Sequence, residues 1–309
     1  MSKEIYIFIA SVLLMLPVLS LFEAVPMATQ LVVSAPFIFL LGIPHGAIDN
    51  MLYLRENRSK NKQFIIVYVA IIAANVVLWL VYPSAAYALF LVLSAYHFGQ
   101  SQFSHYFKSQ NLIRKALFLA WGVSILSALI LFNIQEINKV MIDYQEFLVF
   151  DPIHNIPVLW TIFAVSTLAT IGGLLYFKYS GAISFDTIVM ESLILGLILF
   201  SFYLMPLIIG FTLYFIILHS VKVLNEEYHF LQSENKIKSA SGFIKLLLPF
   251  SLLSFLGIGM LFLTIHLEWL SISYGYCMLI LISSITLPHV FVMNQFYRWL
   301  LRPGSRQLT

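Results

Sequence analysis

Four histidines stand inside strongly apolar segments of this 309-residue chain, and they are the residues best placed to do chemistry. An ionisable residue at membrane depth is costly, so it is a functional candidate by default. Counted back from the basic residues that end their segments, three of them lie about 13–17 Å from the same boundary, at about 1.5 Å per residue. The three are His45, His97 and His289.

The fourth histidine, His219, comes only three residues before Lys222 and is therefore expected to be shallower. It joins the same layer if its helix continues toward Tyr228 and the Lys222 side chain extends to the lipid headgroups. A single histidine in a membrane helix is more often a hydrogen-bonding contact between helices than a metal ligand. Four at similar depth favour one shared site.

Polar neighbours of the histidines are candidates to orient them. Asp49 follows His45 by one turn, the spacing of a carboxylate that holds a metal-binding imidazole, although helix capping is an equal alternative. The Pro44-His45-Gly46 run is expected to kink its helix and to leave space beside the imidazole. Further candidates at this depth are Gln100, Glu191 and Asn294, with the alternative that Glu191 only lines a polar seam.

Neutral imidazoles are good ligands for Fe, Zn, Cu and Ni alike, so the ligands do not name the ion. Two haems, each held by a pair of histidines, are an alternative, but such haems usually stack at two depths. A single non-haem metal fits one layer better. Cys277 is the only cysteine, which excludes an internal disulfide and any site built from several cysteines.

The elements that must position these residues are membrane helices. Hydrophobic residues make up 61% of the chain, charged residues 10%, and the mean hydropathy is +0.92. A span takes about 20 apolar residues, and unclosed strands leave their edges unsatisfied in lipid. We predict an all-α, polytopic bundle forming one domain over residues 1–309. Its ten predicted helices are 5–22, 27–54, 64–82, 84–107, 112–132, 157–178, 185–200, 206–224, 243–265 and 273–300.

The basic residues orient this bundle. Sixteen of the seventeen Lys and Arg residues fall on one side of it, and only Lys139 falls on the other. Basic residues prefer the cytoplasm, so both termini are predicted to be cytoplasmic, in a multi-pass protein of the cell (inner or plasma) membrane. The long connection 133–157 is then a non-cytoplasmic, interfacial amphipathic segment. A net charge of +3 without basic clusters gives no indication of nucleic-acid binding.

Four short motifs together resemble the Brp/Blh family of bacterial and archaeal β-carotene 15,15′-dioxygenases. The resemblance covers most of the chain, from about residue 36 to 300. The sequence departs from the family pattern at Val223, where some members carry a second histidine, and near Gln100, where an acidic residue is common. The motifs are Pro44-His45-Gly46-Ala47-Ile48-Asp49, Tyr96-His97-Phe98-Gly99, Leu218-His219-Ser220 and Leu287-Pro288-His289.

The resemblance implies a specific chemistry. Family members are membrane enzymes that bind non-haem Fe²⁺ through histidines and cleave the central double bond of β-carotene with O₂, giving two all-trans-retinal for a microbial rhodopsin. Carried over, His45, His97, His219 and His289 would be the iron ligands. The candidates to line a tunnel for the polyene are Tyr96, Phe98 and Tyr214.

A proton-coupled transporter is the main alternative. The intramembrane carboxyls Asp49 and Glu191, with helix breaks at Pro44 and Pro288, are typical of proton-coupled transport. Such a protein would also carry a repeat between its halves, and the sequence contains no obvious one. The polar residues gather at one depth instead of forming a relay across the membrane. A purely structural membrane protein gives no reason to bury four histidines.

Overall fold

The computed structural model describes residues 3–22, 24–54, 61–107 and 111–300, without the side chains of residues 45, 152 and 153. Every regular element in these ranges is helical, which confirms the predicted all-α class. The α-helices are α1 (Lys3–Leu19), α2 (Met27–Phe37), α3 (Asp49–Tyr53), α4 (Asn61–Val81), α5 (Pro83–Phe103), α6 (Leu112–Phe132), α7 (Ile134–Asp143), α8 (Ile156–Tyr179), α9 (Phe185–Leu204), α10 (Leu207–Leu213), α11 (Val221–Ser233), α12 (Ala240–His266) and α13 (Tyr274–Leu300).

Within the described ranges, seven helices are long and apolar enough to cross a membrane. They are α4, α6, α8, α9, α12, α13 and the unbroken helix from Leu207 to Ser233. The chain is therefore a helical membrane protein. The count of ten spans and the cytoplasmic termini stay predictions. Part of the charge pattern behind them, including Arg55, Arg58 and Lys60, lies outside the described residues.

The predicted span 27–54 is wrong as a single helix. After α2 the chain forms a π-helix (Ile38–Gly42), then a 3₁₀ helix (Ile43–Gly46), and only then α3. Pro36 and Pro44 have no backbone N–H to donate, so the regular i→i−4 bonding cannot pass through them unchanged. Instead of the kink expected at Pro44, the structure has a change of helix type, which begins at Ile38.

The predicted span 206–224 is longer than expected. It contains α10, a second π-helix (Tyr214–Ser220) and α11, which runs on to Ser233. Its continuation past Tyr228 is one of the two conditions under which His219 is predicted to reach the histidine layer. The second condition, a Lys222 side chain that extends to the headgroups, stays a prediction. Lys222 Nζ donates to the Gln102 carbonyl oxygen at 3.2 Å and so ties this helix to α5.

Two glycines allow α5, which carries His97, to pack closely on α6. A Cβ on Gly99 would collide with the backbone of Phe118, and one on Gly122 would collide with the backbone of Ala95. Small residues at such crossings let helix backbones approach one another in membranes. This reciprocal contact fixes α5 inside the largest hydrophobic core.

The connection 133–157 contains α7 and a 3₁₀ helix (Gln145–Ile153). Glu136 Oε2 accepts from the backbone N–H of Leu207 at 3.2 Å and from Gln30 Nε2 at 2.9 Å, so α7 is joined to α2 and to the start of α10. His154, at the end of the connection, is buried, with its Nε2 3.2 Å from the Tyr87 hydroxyl. The interfacial, non-cytoplasmic location of this segment stays a prediction.

Candidate metal centre

Three of the four predicted histidines meet in the interior of the bundle. The ring centroid of His97, on α5, lies 4.8 Å from that of His219 and 5.0 Å from that of His289, on α13. All three residues are at most 3% exposed. The structure therefore brings together three residues that are 70 to 192 positions apart in the sequence, as the depth argument required.

His289 is held by a carboxylate from α3. Its Nδ1 lies 2.9 Å from Asp49 Oδ1 and 3.1 Å from Oδ2, and the Tyr68 hydroxyl donates to Oδ2 at 2.9 Å. A carboxylate accepts hydrogen bonds, so His289 carries its proton on Nδ1. Nε2 is then the nitrogen that would coordinate an ion. A carboxylate partner of this kind fixes the tautomer and orientation of a metal-binding histidine.

His219 is held by a hydroxyl from α5. Ser101 Oγ lies 3.0 Å from His219 Nδ1 and donates to the Phe98 carbonyl oxygen at 2.9 Å. Because the hydroxyl has one hydrogen and donates it to that carbonyl, Ser101 accepts from Nδ1–H of the imidazole. Nε2 is therefore also the nitrogen of His219 that would coordinate an ion. Ser101 and His97 lie one turn apart on α5, so a single helix contributes a candidate ligand and the partner of another.

The structure describes the backbone of the 3₁₀ helix that carries His45, but not the His45 side chain. A Cβ on the neighbouring Gly46 would lie 3.5 Å from His289 Nδ1. The 3₁₀ turn that carries His45 thus packs directly against the histidine cluster. Its role as fourth ligand stays a prediction.

The residues present suit a metal ion. Among the side chains that the structure describes, no set of three or more His, Cys, Asp or Glu groups is arranged as a complete metal site. The donor set nevertheless fits, because two imidazoles have Nδ1 engaged and a buried Nε2. The separations of the rings also fit, since rings that share one ion through bonds of about 2.1 Å have centroids about 5 Å apart.

The remaining predicted polar residues form two other clusters. Gln100 Nε2 donates to Asn294 Oδ1 at 3.1 Å and to the Tyr96 hydroxyl at 3.3 Å. Glu191 accepts from Gln102 Nε2 and from the Tyr106 hydroxyl, both at 2.7 Å. These contacts join α5 to α13 and to α9. The roles predicted for Gln100, Asn294 and Glu191 beside the metal stay predictions.

The predicted tunnel residues line one side of the cluster to different degrees. The Phe98 ring is edge-on to His219, with centroids 4.8 Å apart. Tyr214 packs behind Phe98 at 5.4 Å and is fully buried. Tyr96 is half-buried and bonds to the Gln100–Asn294 pair. Of the three, Phe98 is the one in contact with a histidine.

Two contacts of the site are not anticipated by the sequence patterns. Ser101 is one member of a polar run in its helix, and Tyr68 belongs to an apolar span. For Ser101 the sequence does contain a usable signal: it follows His97 by four residues, a spacing that places both on one helix face. Tyr68 offers no comparable signal, since its partner Asp49 belongs to a different helix.

Comparison with known proteins shows the family to which the chain belongs. The model of the family described as Beta-carotene 15,15′-dioxygenase matches residues 37–297, which include all four predicted histidines. The chain belongs to this family. A relative from Uncultured marine bacterium 66A03, named Beta-carotene 15,15′-dioxygenase, is 24% identical over 268 residues, 84% of this chain and 92% of that protein. No solved structure matches the chain. The resemblance found in the sequence motifs is thereby confirmed.

Proposed function

We propose that this membrane protein cleaves the central 15,15′ double bond of β-carotene with O₂ and releases two molecules of all-trans-retinal. The site is the histidine cluster, with Fe²⁺ held by His45, His97, His219 and His289. What carries the proposal is the convergence of three histidine rings, from three helices, in a dry interior of a chain of this family. The protein acts in the cell membrane, and a microbial rhodopsin is the proposed recipient of the retinal.

When bound, ferrous iron supplies the binding and partial reduction of O₂ without an organic cofactor. The chain's own residues do the rest. Asp49 and Ser101 keep the protons of His289 and His219 on Nδ1, so that Nε2 is the nitrogen of each that would bind the metal. Phe98 and the surrounding core exclude water from the cluster.

The substrate needs no polar recognition. β-Carotene is apolar and dissolves in the bilayer, so it can enter between helices without leaving an apolar medium. In the reaction the central carbon–carbon double bond breaks, and each of its two carbons receives one atom of the same O₂ as an aldehyde oxygen. No proton is gained or lost overall.

The two carboxyls that a proton-coupled transporter would use are both engaged elsewhere. Asp49 is hydrogen-bonded to His289 and Tyr68, and Glu191 to Gln102 and Tyr106. Their hydrogen bonds therefore place them in separate clusters. The oxygenase is proposed over the transporter because the family model favours it.

The experiment that tests the proposal is expression in cells that accumulate β-carotene. The wild type is expected to bleach the cells and to yield retinal, whereas His97→Ala is expected to leave β-carotene intact. His266→Ala is the matched control, because His266 is exposed at the end of α12. Unchanged β-carotene in wild-type cells with inserted protein and supplied iron would contradict the proposal.

A further inference from the structure

Three rings four residues apart stack along the helix that carries His219. Phe211 and Phe215 have centroids 5.3 Å apart and planes inclined by 11°. Phe215 and His219 follow at 5.6 Å and 20°. The two phenylalanines are only partly buried. A nearly parallel aromatic ladder thus runs along one helix face and ends on a candidate metal ligand.

Phe215 lies between that ligand and the π-helix Ile38–Gly42. Gly42 is the contact point, since a Cβ there would come within 2.8 Å of Phe215 Cε1. The absence of a side chain is what allows the backbone to pass so near the ring. Short π-helical turns occur frequently at functional sites, and here two of them pack against each other.

The other face of the same segment is turned outward. Leu40 is 68% exposed, and Phe37, the last residue of α2, is 53% exposed, as expected of side chains that contact lipid. A single turn of helix therefore lies between these exposed side chains and the Phe215 ring. An apolar molecule that enters sideways at this segment meets the aromatic ladder before it meets the histidines.

A flat conjugated chain suits such a ladder. Aromatic rings prefer offset, parallel packing against other π-systems, and a site for an apolar ligand obtains its selectivity from shape. A polyene carries no polar group through which the protein could hold one particular double bond at the metal. Something rigid has to fix its position along the chain, and Phe215 directly adjoins the His219 ring.

We propose that Phe215, held between Gly42 and His219, is a substrate-positioning residue that fixes which double bond of the polyene lies at the histidine cluster. This rests on the proposed function and adds a determinant of regiochemistry to it. Phe215→Leu keeps an apolar side chain but removes the flat ring. The polyene can then slide, so cleavage at other double bonds gives pairs of carbonyl products of unequal length.

The test compares purified wild type, Phe215→Leu, Gly42→Ala and the double variant with β-carotene in detergent micelles. Phe215→Leu is expected to raise the share of unequal products about tenfold, the scale on which the shape of an apolar pocket discriminates. Gly42→Ala drives the ring toward the site, and we expect about tenfold slower cleavage. In the double variant the smaller side chain relieves the collision and restores most of the rate, a non-additivity expected of two residues in contact.

Two matched controls change the same residue types away from this contact. Phe250→Leu alters a phenylalanine that is 41% exposed on α12, and Gly257→Ala adds a methyl group where nothing lies within 4 Å. Both are expected to behave as wild type. Iron content is measured in every variant and is expected to stay unchanged, because Phe215 acts on the polyene.

A second readout separates this inference from the proposed function. Binding of β-carotene to the iron-free protein, followed by its absorption spectrum, is expected to weaken severalfold in Phe215→Leu. If the wild type binds β-carotene but forms no retinal, while Phe215→Leu binds it severalfold more weakly, the proposed function fails and Phe215 remains a contact of the bound polyene. Unchanged products and unchanged binding in Phe215→Leu would overturn the inference, as would loss of iron, which would make Phe215 only a support for His219.

Discussion

Replacing Asp49 by Asn tests whether the carboxylate on α3 prepares His289 for a metal. The substitution keeps the size of the side chain and one neutral acceptor oxygen, but it removes the negative charge. In the structure Asp49 Oδ1 lies 2.9 Å from His289 Nδ1, and each side chain is 4% exposed. The bond is therefore shielded from water, and nothing outside the protein can replace it.

The size of the effect follows from the kind of bond. A hydrogen bond to a charged group contributes about 1.5–3 kcal/mol, and about 1.4 kcal/mol corresponds to a tenfold change in a binding constant. We therefore expect Asp49→Asn to bind Fe²⁺ about 10–100-fold more weakly, the range found when the partner of a ligating histidine is removed. Tyr68→Phe removes only a neutral donor to Oδ2 and should cost at most about tenfold.

The assay is competition for Fe²⁺ between the purified protein and a chelator of known affinity, under anaerobic conditions. Asp186→Asn is the matched control, because Asp186 is exposed in the first turn of α9. The order of affinity should be Asp186→Asn equal to wild type, then Tyr68→Phe, then Asp49→Asn. If Asp49→Asn held iron as tightly as wild type, Asp49 would not orient His289 for a metal and the reasoning would be refuted.

Three further predictions concern the support of the site. Ser101→Ala removes the neutral acceptor of the His219 imidazole and should weaken iron binding about 2–10-fold in the same competition assay. Ser104→Ala, which changes a buried serine just after the end of α5, should leave iron binding unchanged. Gly99→Ala forces α5 away from the backbone of α6 and should destabilise the protein by about 3 kcal/mol, seen as a lower melting temperature in detergent; an unchanged melting temperature would contradict the close packing. Burial lowers the pKa of His154 from 6.5, and a nearby carboxylate partly opposes this shift. The stabilising effect of the neutral, buried imidazole is therefore complete above pH 6.5 and declines as the pH falls below it. The melting temperature should drop between pH 7.5 and 5.5, and His154→Gln should lessen that drop.

The layer of histidines could be predicted because depth in a membrane helix is nearly a linear function of position. A constant rise per residue and a basic boundary are enough to place His97 and His289 at one level. For His219 the same argument required a longer helix, and α11 supplies it by continuing to Ser233. The polar residue one turn from a histidine was informative too, since Asp49 contacts a histidine, although the one on α13 and not its neighbour His45.

Changes of helix type and partners across helices could not be predicted from the sequence. Pro36 and Pro44 indicate a break, but whether the chain responds with a kink, a π-turn or a 3₁₀ turn depends on the packing around it. The contact between Tyr68 and Asp49 depends on how α3 and α4 are rotated about their axes. Lys222 illustrates the same limit, because its hydrogen bond to the Gln102 carbonyl oxygen depends on how closely its helix packs against α5.

The most direct test of the central claim is the ratio of retinal formed to β-carotene consumed by purified protein, before and after its metal is removed and Fe²⁺ is returned. We expect two retinal for each β-carotene, no turnover after chelation, and recovery on addition of Fe²⁺. Turnover that persists without metal would contradict a metal held by the histidine cluster. Consumption of β-carotene without retinal would contradict cleavage at the central bond.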